Sequence, residues 1–156
     1  KSRDLFKSMI ELSRTTHREA RYEEVLQYLL FYFKVPWEGQ VTLEMTITET
    51  HMNFLGGAHG GAIFALADMA FGLASNAAGT VSIGIDTHIA YIQGCRAGDV
   101  IRAEAVELSR ARRTAVYRVD VTRDAENIAT FTGTVYVTGR LLEEWKAPAG
   151  ATNGAA

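Results

Sequence analysis

The stretch Asn53-Phe54-Leu55-Gly56-Gly57-Ala58-His59-Gly60-Gly61 runs without a break into Ala62-Ile63-Phe64-Ala65-Leu66-Ala67-Asp68-Met69-Ala70-Phe71-Gly72-Leu73-Ala74. A glycine-rich turn carrying one histidine therefore opens an apolar helix, and Asp68 is the only charged residue between Gly60 and Ala74. A helix that is apolar on every side reads as a buried helix. An unpaired carboxylate is costly to bury, so one retained in such a helix points to a perturbed, functional group.

The flanking sequence changes period. Val41, Leu43, Met45 and Ile47 alternate with Thr42, Glu44, Thr46 and Thr48, the pattern of a half-buried strand. The helix is predicted from about Gly60 to Ala78, ending at Gly79. Beyond it, Val81, Ile83, Ile85, Thr87, Ile89 and Tyr91 are expected on one strand face, and further strands are read over 99–109, 113–123 and 127–138. Residues 123–127 form a hairpin connection. Consecutive strands with short turns argue for an antiparallel sheet. One apolar helix needs covering on more sides than a flat sheet supplies, so the expected α+β fold is a strongly curved sheet wrapped around that helix. Before it, residues 3–13 and 16–29 read as helices of an N-terminal extension, 30–35 as a strand and 36–39 as a turn.

With 156 residues, 47% of them hydrophobic, the chain is long enough for one domain with a real core. A net charge of −2 gives no reason to expect nucleic acid. Cys95 is the only cysteine, which excludes an intrachain disulfide and fits a reducing compartment. No run reads as a signal peptide or reaches the length of a spanning helix. The expectation is a cytoplasmic protein that uses neither membrane nor nucleic acid. His51 and His88 lack the spacing of a metal site, and no metal or cofactor is expected.

Asn53, then His59-Gly60-Gly61, then Asp68, a strand ending near Tyr91 and a later basic pair together resemble the hotdog-fold acyl-CoA thioesterases of the phenylacetate-degradation (PaaI) type. The resemblance covers roughly residues 35–140. It implies a hotdog domain over 31–142, with 1–30 as a helical extension and 143–156 as a tail. It also implies a homo-oligomer, dimer or tetramer, with sites at subunit interfaces. The implied reaction is hydrolysis of a small or aromatic acyl-CoA, phenylacetyl-CoA-like, with coenzyme A entering as part of the substrate.

Elementary chemistry is consistent with these roles. Thioester hydrolysis needs stabilisation of the developing oxyanion and activation of water or supply of a nucleophile. Free N–H groups at a helix N-terminus suit the first need, which makes Gly60 N–H the oxyanion donor with His59 beside it. Gly60 and Gly61, lacking Cβ atoms, are expected to let substrate approach the backbone. Asp68 is then the general base or the nucleophile, and Asn53 holds the thioester or the attacking water. The resemblance assigns Arg112 and Arg113 to the phosphates of coenzyme A, where a guanidinium fork matches phosphate oxygens. Tyr91 is counted with the substrate-binding residues, and Phe64, Met69 and Phe71 are further candidates for the acyl pocket. Some relatives carry Ser or Thr one turn after the acid, but here that position is Gly72, leaving Ser75, Ser82 or Thr87 as substitutes.

Spacing adds a deduction. Nine residues from His59 at about 100° each give roughly 900°, so Asp68 is expected on the face opposite the helix start, some 13.5 Å along the axis. One helix then cannot bring both groups to one carbonyl, and a neighbour across a two-fold interface must complete the site. Two other functions are open to the same fold. A non-catalytic acyl-CoA-binding module would not need both Asp68 and His59-Gly60, and a 3-hydroxyacyl-CoA dehydratase would pair its Asp with a nearby His that this helix lacks.

Overall fold

The computed structural model describes residues 32–34 and 40–144. The two expected N-terminal helices, the turn at 36–39 and the tail beyond 144 lie outside the described residues. The elements in chain order are β1 (Tyr32–Lys34), β2 (Gln40–Thr46), a 3-10 turn at Glu49–His51, α1 (Gly60–Asn76), β3 (Thr80–Tyr91), β4 (Val100–Arg110), β5 (Thr114–Arg123), β6 (Glu126–Leu141) and a 3-10 turn at Leu142–Glu144. All strands pair antiparallel in one sheet of order β1-β2-β4-β5-β6-β3. Helix α1 contacts every strand from β2 to β6. A helix is about 10–12 Å wide, whereas five flat strands at about 4.8 Å spacing would extend well past it. The sheet must therefore curl around the helix, as expected.

Alternation builds the inner face of that sheet. Val41, Leu43 and Met45 of β2, Ile101, Ala103 and Ala105 of β4, Ala115, Tyr117, Val119 and Val121 of β5, and Ala129, Phe131 and Val135 of β6 are all buried in one cluster. Alanines on β4 leave room for the helix to approach. From α1 the cluster takes Ile63, Leu66, Ala67, Ala70, Phe71 and Ala74, an i, i+3, i+4 stripe. Burying one such large side chain stabilises the fold by about 1.5–3 kcal/mol. The helix is not covered all round, however, which corrects the expectation of a helix buried on every side. Gly61 and Asp68 lie exposed on the side away from the stripe.

Two further expectations change. The helix stops at Asn76, whose side chain brackets the next strand: its Oδ1 accepts from Ser82 N–H at 2.8 Å and its Nδ2 donates to Ser82 O at 3.2 Å. Gly79, at φ +82°, makes the turn between them. On β3, the single face expected for 81 to 91 is broken by a bulge. Gly84 pairs with Val135 and Asp86 with Thr134, leaving Ile85 unopposed. Residues directly opposite share a face. Ile83, opposite Tyr136, is thus on the outer side, while Thr87, Ile89 and Tyr91, opposite Gly133, Phe131 and Ala129, are on the inner side. The β5–β6 hairpin closes as expected, through Asp124 and Ala125 at φ 48° and 70°.

Among the described residues, no helix is long and apolar enough to cross a membrane. Gly133 is required by packing: a Cβ there would lie 2.8 Å from Phe71 Cζ. Gly133→Ala is therefore expected to cost about 1–3 kcal/mol of stability through overpacking, measured as a lower urea midpoint with an unchanged slope.

Candidate active site

The loop before α1 is braced from within. Asn53 Oδ1 accepts from Leu55 N–H at 2.8 Å and Gly57 N–H at 3.2 Å, and Asn53 Nδ2 donates to Ala58 O at 3.4 Å. Gly56 turns the chain at φ +78°. Asn53 thus spends its amide on the loop backbone. Two outside bonds anchor the loop's end: Ala58 N–H donates to Cys95 O at 2.8 Å, and His59 N–H donates to His51 O at 2.7 Å. Cys95 is buried, and that burial raises its thiol pKa. Its segment is tied in turn to the β5–β6 hairpin, because Arg123 donates to Asp99 Oδ2 at 2.7 Å and to Gly94 O at 3.2 Å. Hydrogen bonds from Arg96 N–H and Arg123 hold the Asp99 carboxyl below its ordinary pKa.

His59 is the N-cap of α1, at φ −66°, ψ 130°, and its Nδ1 accepts from Gly61 N–H at 2.9 Å. An accepting Nδ1 places the proton of the neutral ring on Nε2. Gly60 N–H finds no acceptor among the described residues, so one orphan donor of the helix start is left for a ligand. Tyr91 OH donates to Gly60 O at 2.9 Å, and partial burial raises its pKa, keeping the donor protonated. The two glycines are explained by this chain's own rings. A Cβ on Gly60 would meet Tyr91 Cζ at 3.0 Å, and one on Gly61 would meet His59 Nδ1 at 3.0 Å. The space a side chain would take at each glycine is thus filled by Tyr91 and His59, while the Gly60 N–H stays open.

Asp68 stands at an open cleft of about 610 Å³ between α1 and β3, bordered also by Phe71, Gly72, Asp86 and Thr87. It makes no hydrogen bond or ion pair with any described residue, is exposed in the single chain, and yet has its pKa raised by the desolvation the cleft walls impose. Of the hydroxyls considered for water, Ser75 is buried and donates to Gly72 O at 3.1 Å, and Ser82 donates to Thr80 O at 3.4 Å. Thr87 borders the cleft with no side-chain partner among the described residues. Asp86 is absent from the sequence-based site residues; it is the one Asp, Glu, Lys or Arg on β3, but it stands among Ser82, Thr87 and His88, a weaker signal than Asp68 in its apolar helix. Among the described residues no group of three His, Cys, Asp or Glu side chains is placed to hold a metal ion.

The helix geometry corrects the angular part of the spacing deduction. His59 has extended backbone and lies outside the helix, so the count starts at Gly60. Gly60 to Asp68 is eight residues, about 800° or 80° net, and Gly61 to Asp68 is seven, so Gly61 and Asp68 share the exposed face. The axial rise of about 12 Å still separates Gly60 from Asp68. The arginines lie at the far end of the sheet from Tyr91. Arg113 donates to Tyr136 OH at 3.0 Å, and Tyr136 faces Ile83 near the start of β3. Arg112 is exposed in the same turn, while Arg110 is committed to Glu107 and Tyr117.

Residues 55–130 match the thioesterase superfamily. A putative esterase of Archaeoglobus fulgidus is 40% identical over 100 residues, 64% of this chain and 65% of the relative. The chain thus spans just under two thirds of that protein's length. The acyl-coenzyme A thioesterase PaaI of Escherichia coli is 32% identical over 97 residues, 62% of this chain and 69% of the relative. Among solved structures, a variant of the phenylacetic acid degradation protein PaaI from Thermus thermophilus superposes with a TM-score of 0.69 at 35% identity, covering 73% of this chain and 98% of that one.

The raised Asp68 pKa has a consequence for stability. A carboxyl whose folded pKa exceeds its unfolded value favours the folded state at low pH, and that advantage is lost as pH rises through the folded pKa. Asp68→Asn is therefore expected to raise the urea midpoint at pH 7. The gain should vanish below the ordinary carboxyl value of 3.8. A midpoint difference independent of pH would contradict the assignment.

Proposed function

Because the chain belongs to the thioesterase superfamily, among hotdog-fold proteins of the PaaI type, we propose that it hydrolyses the thioester of an acyl-CoA to a free acid and coenzyme A. The observation that carries this reading is the pairing of two features: a capped helix start with an unused Gly60 N–H, and an unpartnered Asp68 with a raised pKa at an open cleft. The thioester oxygen accepts from Gly60 N–H, which stabilises negative charge as it develops. His59 holds the helix start in shape and offers its Nε2–H to the same region. Asp68 acts as general base, and desolvation that raises its pKa makes it the better proton acceptor. Water oxygen bonds to the carbonyl carbon, the carbon–sulfur bond breaks, and the proton taken by Asp68 passes to the departing thiolate. Asn53 acts as a positioning residue, through the loop that presents His59. No metal or further cofactor enters these steps.

About 12 Å of helix between Gly60 and Asp68 is too far for one carbonyl to touch both. The reading therefore includes self-association, as a dimer or tetramer, in which the Gly60 of one copy faces the Asp68 of another. Support comes from β3, a twelve-residue strand at the sheet edge with Ile83, Ile85 and Tyr91 exposed; edges of this kind are normally covered. The open side of α1, which carries Asp68, lies beside it. Arg112 and Arg113 are assigned to the phosphates of coenzyme A, and Tyr91 and Gly61 to the thioester end. The acyl group is small or aromatic, in keeping with the PaaI relatives and a cleft backed by the Phe71 ring. A free buried thiol at Cys95 suits the cytoplasm.

Hydrolysis of an acyl-CoA panel that includes phenylacetyl-CoA, followed by thiol release, tests the reading. Wild type should turn over at least one member, and Asp68→Asn should lower kcat by about 10²–10⁴-fold. Full activity of the variant on every substrate would remove Asp68 from the mechanism.

A further inference from the structure

Phe71 is the one described residue that belongs both to the buried core and to the wall of the Asp68 cleft. Phe71 is 3% exposed, and its ring lies in a hollow that the sheet leaves open for it. A Cβ on Gly133 would lie 2.8, 2.9 and 3.0 Å from three of its ring atoms, and one on Gly84 would lie 3.3 Å from Cε1. Gly84 and Gly133 sit on the inner face of adjacent strands, opposite Val135 and Thr87 respectively, so two missing side chains make one depression. Behind it the ring meets Tyr117 and Phe131, at centroid distances of 5.8 and 5.5 Å. Tyr117 is itself fixed, donating to Glu107 Oε2 at 2.6 Å and accepting from Arg110 at 2.9 Å. The floor and the back wall of the hollow are therefore held independently of Phe71.

We infer that Phe71 is the stop that sets how long an acyl group the cleft accepts. Its ring fills a preformed hollow that would otherwise prolong the cleft into the core. The inference rests on the hydrolase reading above. An acyl tail that passes Asp68 meets the ring, and a shorter side chain at 71 would open a space floored by glycine backbone and walled by aromatic rings. Such a space stays dry and takes up apolar groups. A sheet with ordinary side chains at 84 and 133 would not yield it, since their Cβ atoms would already fill the depression.

The test is a straight-chain acyl-CoA series, butanoyl to dodecanoyl, with wild type, Phe71→Ala and Phe71→Leu. One methylene in an apolar pocket discriminates by about tenfold or more. The kcat/KM ratio of octanoyl-CoA to butanoyl-CoA is thus expected to rise at least about tenfold in Phe71→Ala, and by less in Phe71→Leu. Loss of packing alone would lower both rates together and leave the ratio unchanged, and that outcome overturns the inference. Should Phe71→Ala not fold, the ratio in Phe71→Leu decides in the same way. A wild type inert on every acyl-CoA would instead reject the hydrolase reading, and this inference with it.

Discussion

The rise of an α-helix, about 1.5 Å per residue, governs how chemistry is distributed in this molecule. The orphan N–H of Gly60 and the carboxylate of Asp68 stand on one rigid element whose inner stripe is locked into the sheet by Ile63, Leu66, Ala67, Ala70 and Phe71. Neither end can slide toward the other. Everything proposed about the site follows from that fixed separation: each chain supplies two halves of different sites, and the exposed side of α1 is where another copy completes them.

Both halves are held by structure remote from them. His59 reaches the helix start because Ala58 hangs from Cys95 O, and the Cys95 segment is in turn held by Arg123 through Asp99 and Gly94. Removing Arg123 would thus be felt at the Gly60 N–H through three loops and no direct contact. At the other end, Asp68 owes its raised pKa to the walls of a cleft whose rear is Phe71. Closing the open side with a second subunit would remove more water from the carboxylate, and desolvation pushes a carboxyl pKa further upward.

Much of this was legible before any coordinates. Alternating Val41, Leu43 and Met45, the apolar run after Gly60, and the Asp124-Ala125 turn each state a local rule that the fold obeys. Most of the differences come from pairing between segments. The bulge at Ile85 depends on the register with β6, so alternation read along β3 alone put Ile83 on the wrong face. The absence of a side chain at Gly60 has a further cause that local sequence does not display: Tyr91, 31 residues away, takes the space a Cβ would need. The hollow under Phe71 needs Gly84 and Gly133 side by side, which no single segment displays. The face expected for Asp68 changes for a smaller reason: counting from His59, whose extended backbone lies outside the helix that starts at Gly60, adds one residue, about 100°.

The central claim is that Gly60 and Asp68 of one chain serve different sites. Subunit complementation tests it most directly, using Asp68→Asn and His59→Ala chains, each inactive alone, unfolded together and refolded as a mixture. In a mixed dimer one site carries both substitutions and the other carries neither. With half the dimers mixed and one of two sites intact in each, the account predicts recovery of about a quarter of wild-type activity. A mixture as inactive as its components, with mixed dimers shown to have formed, would place both groups in one chain's own site and contradict the account.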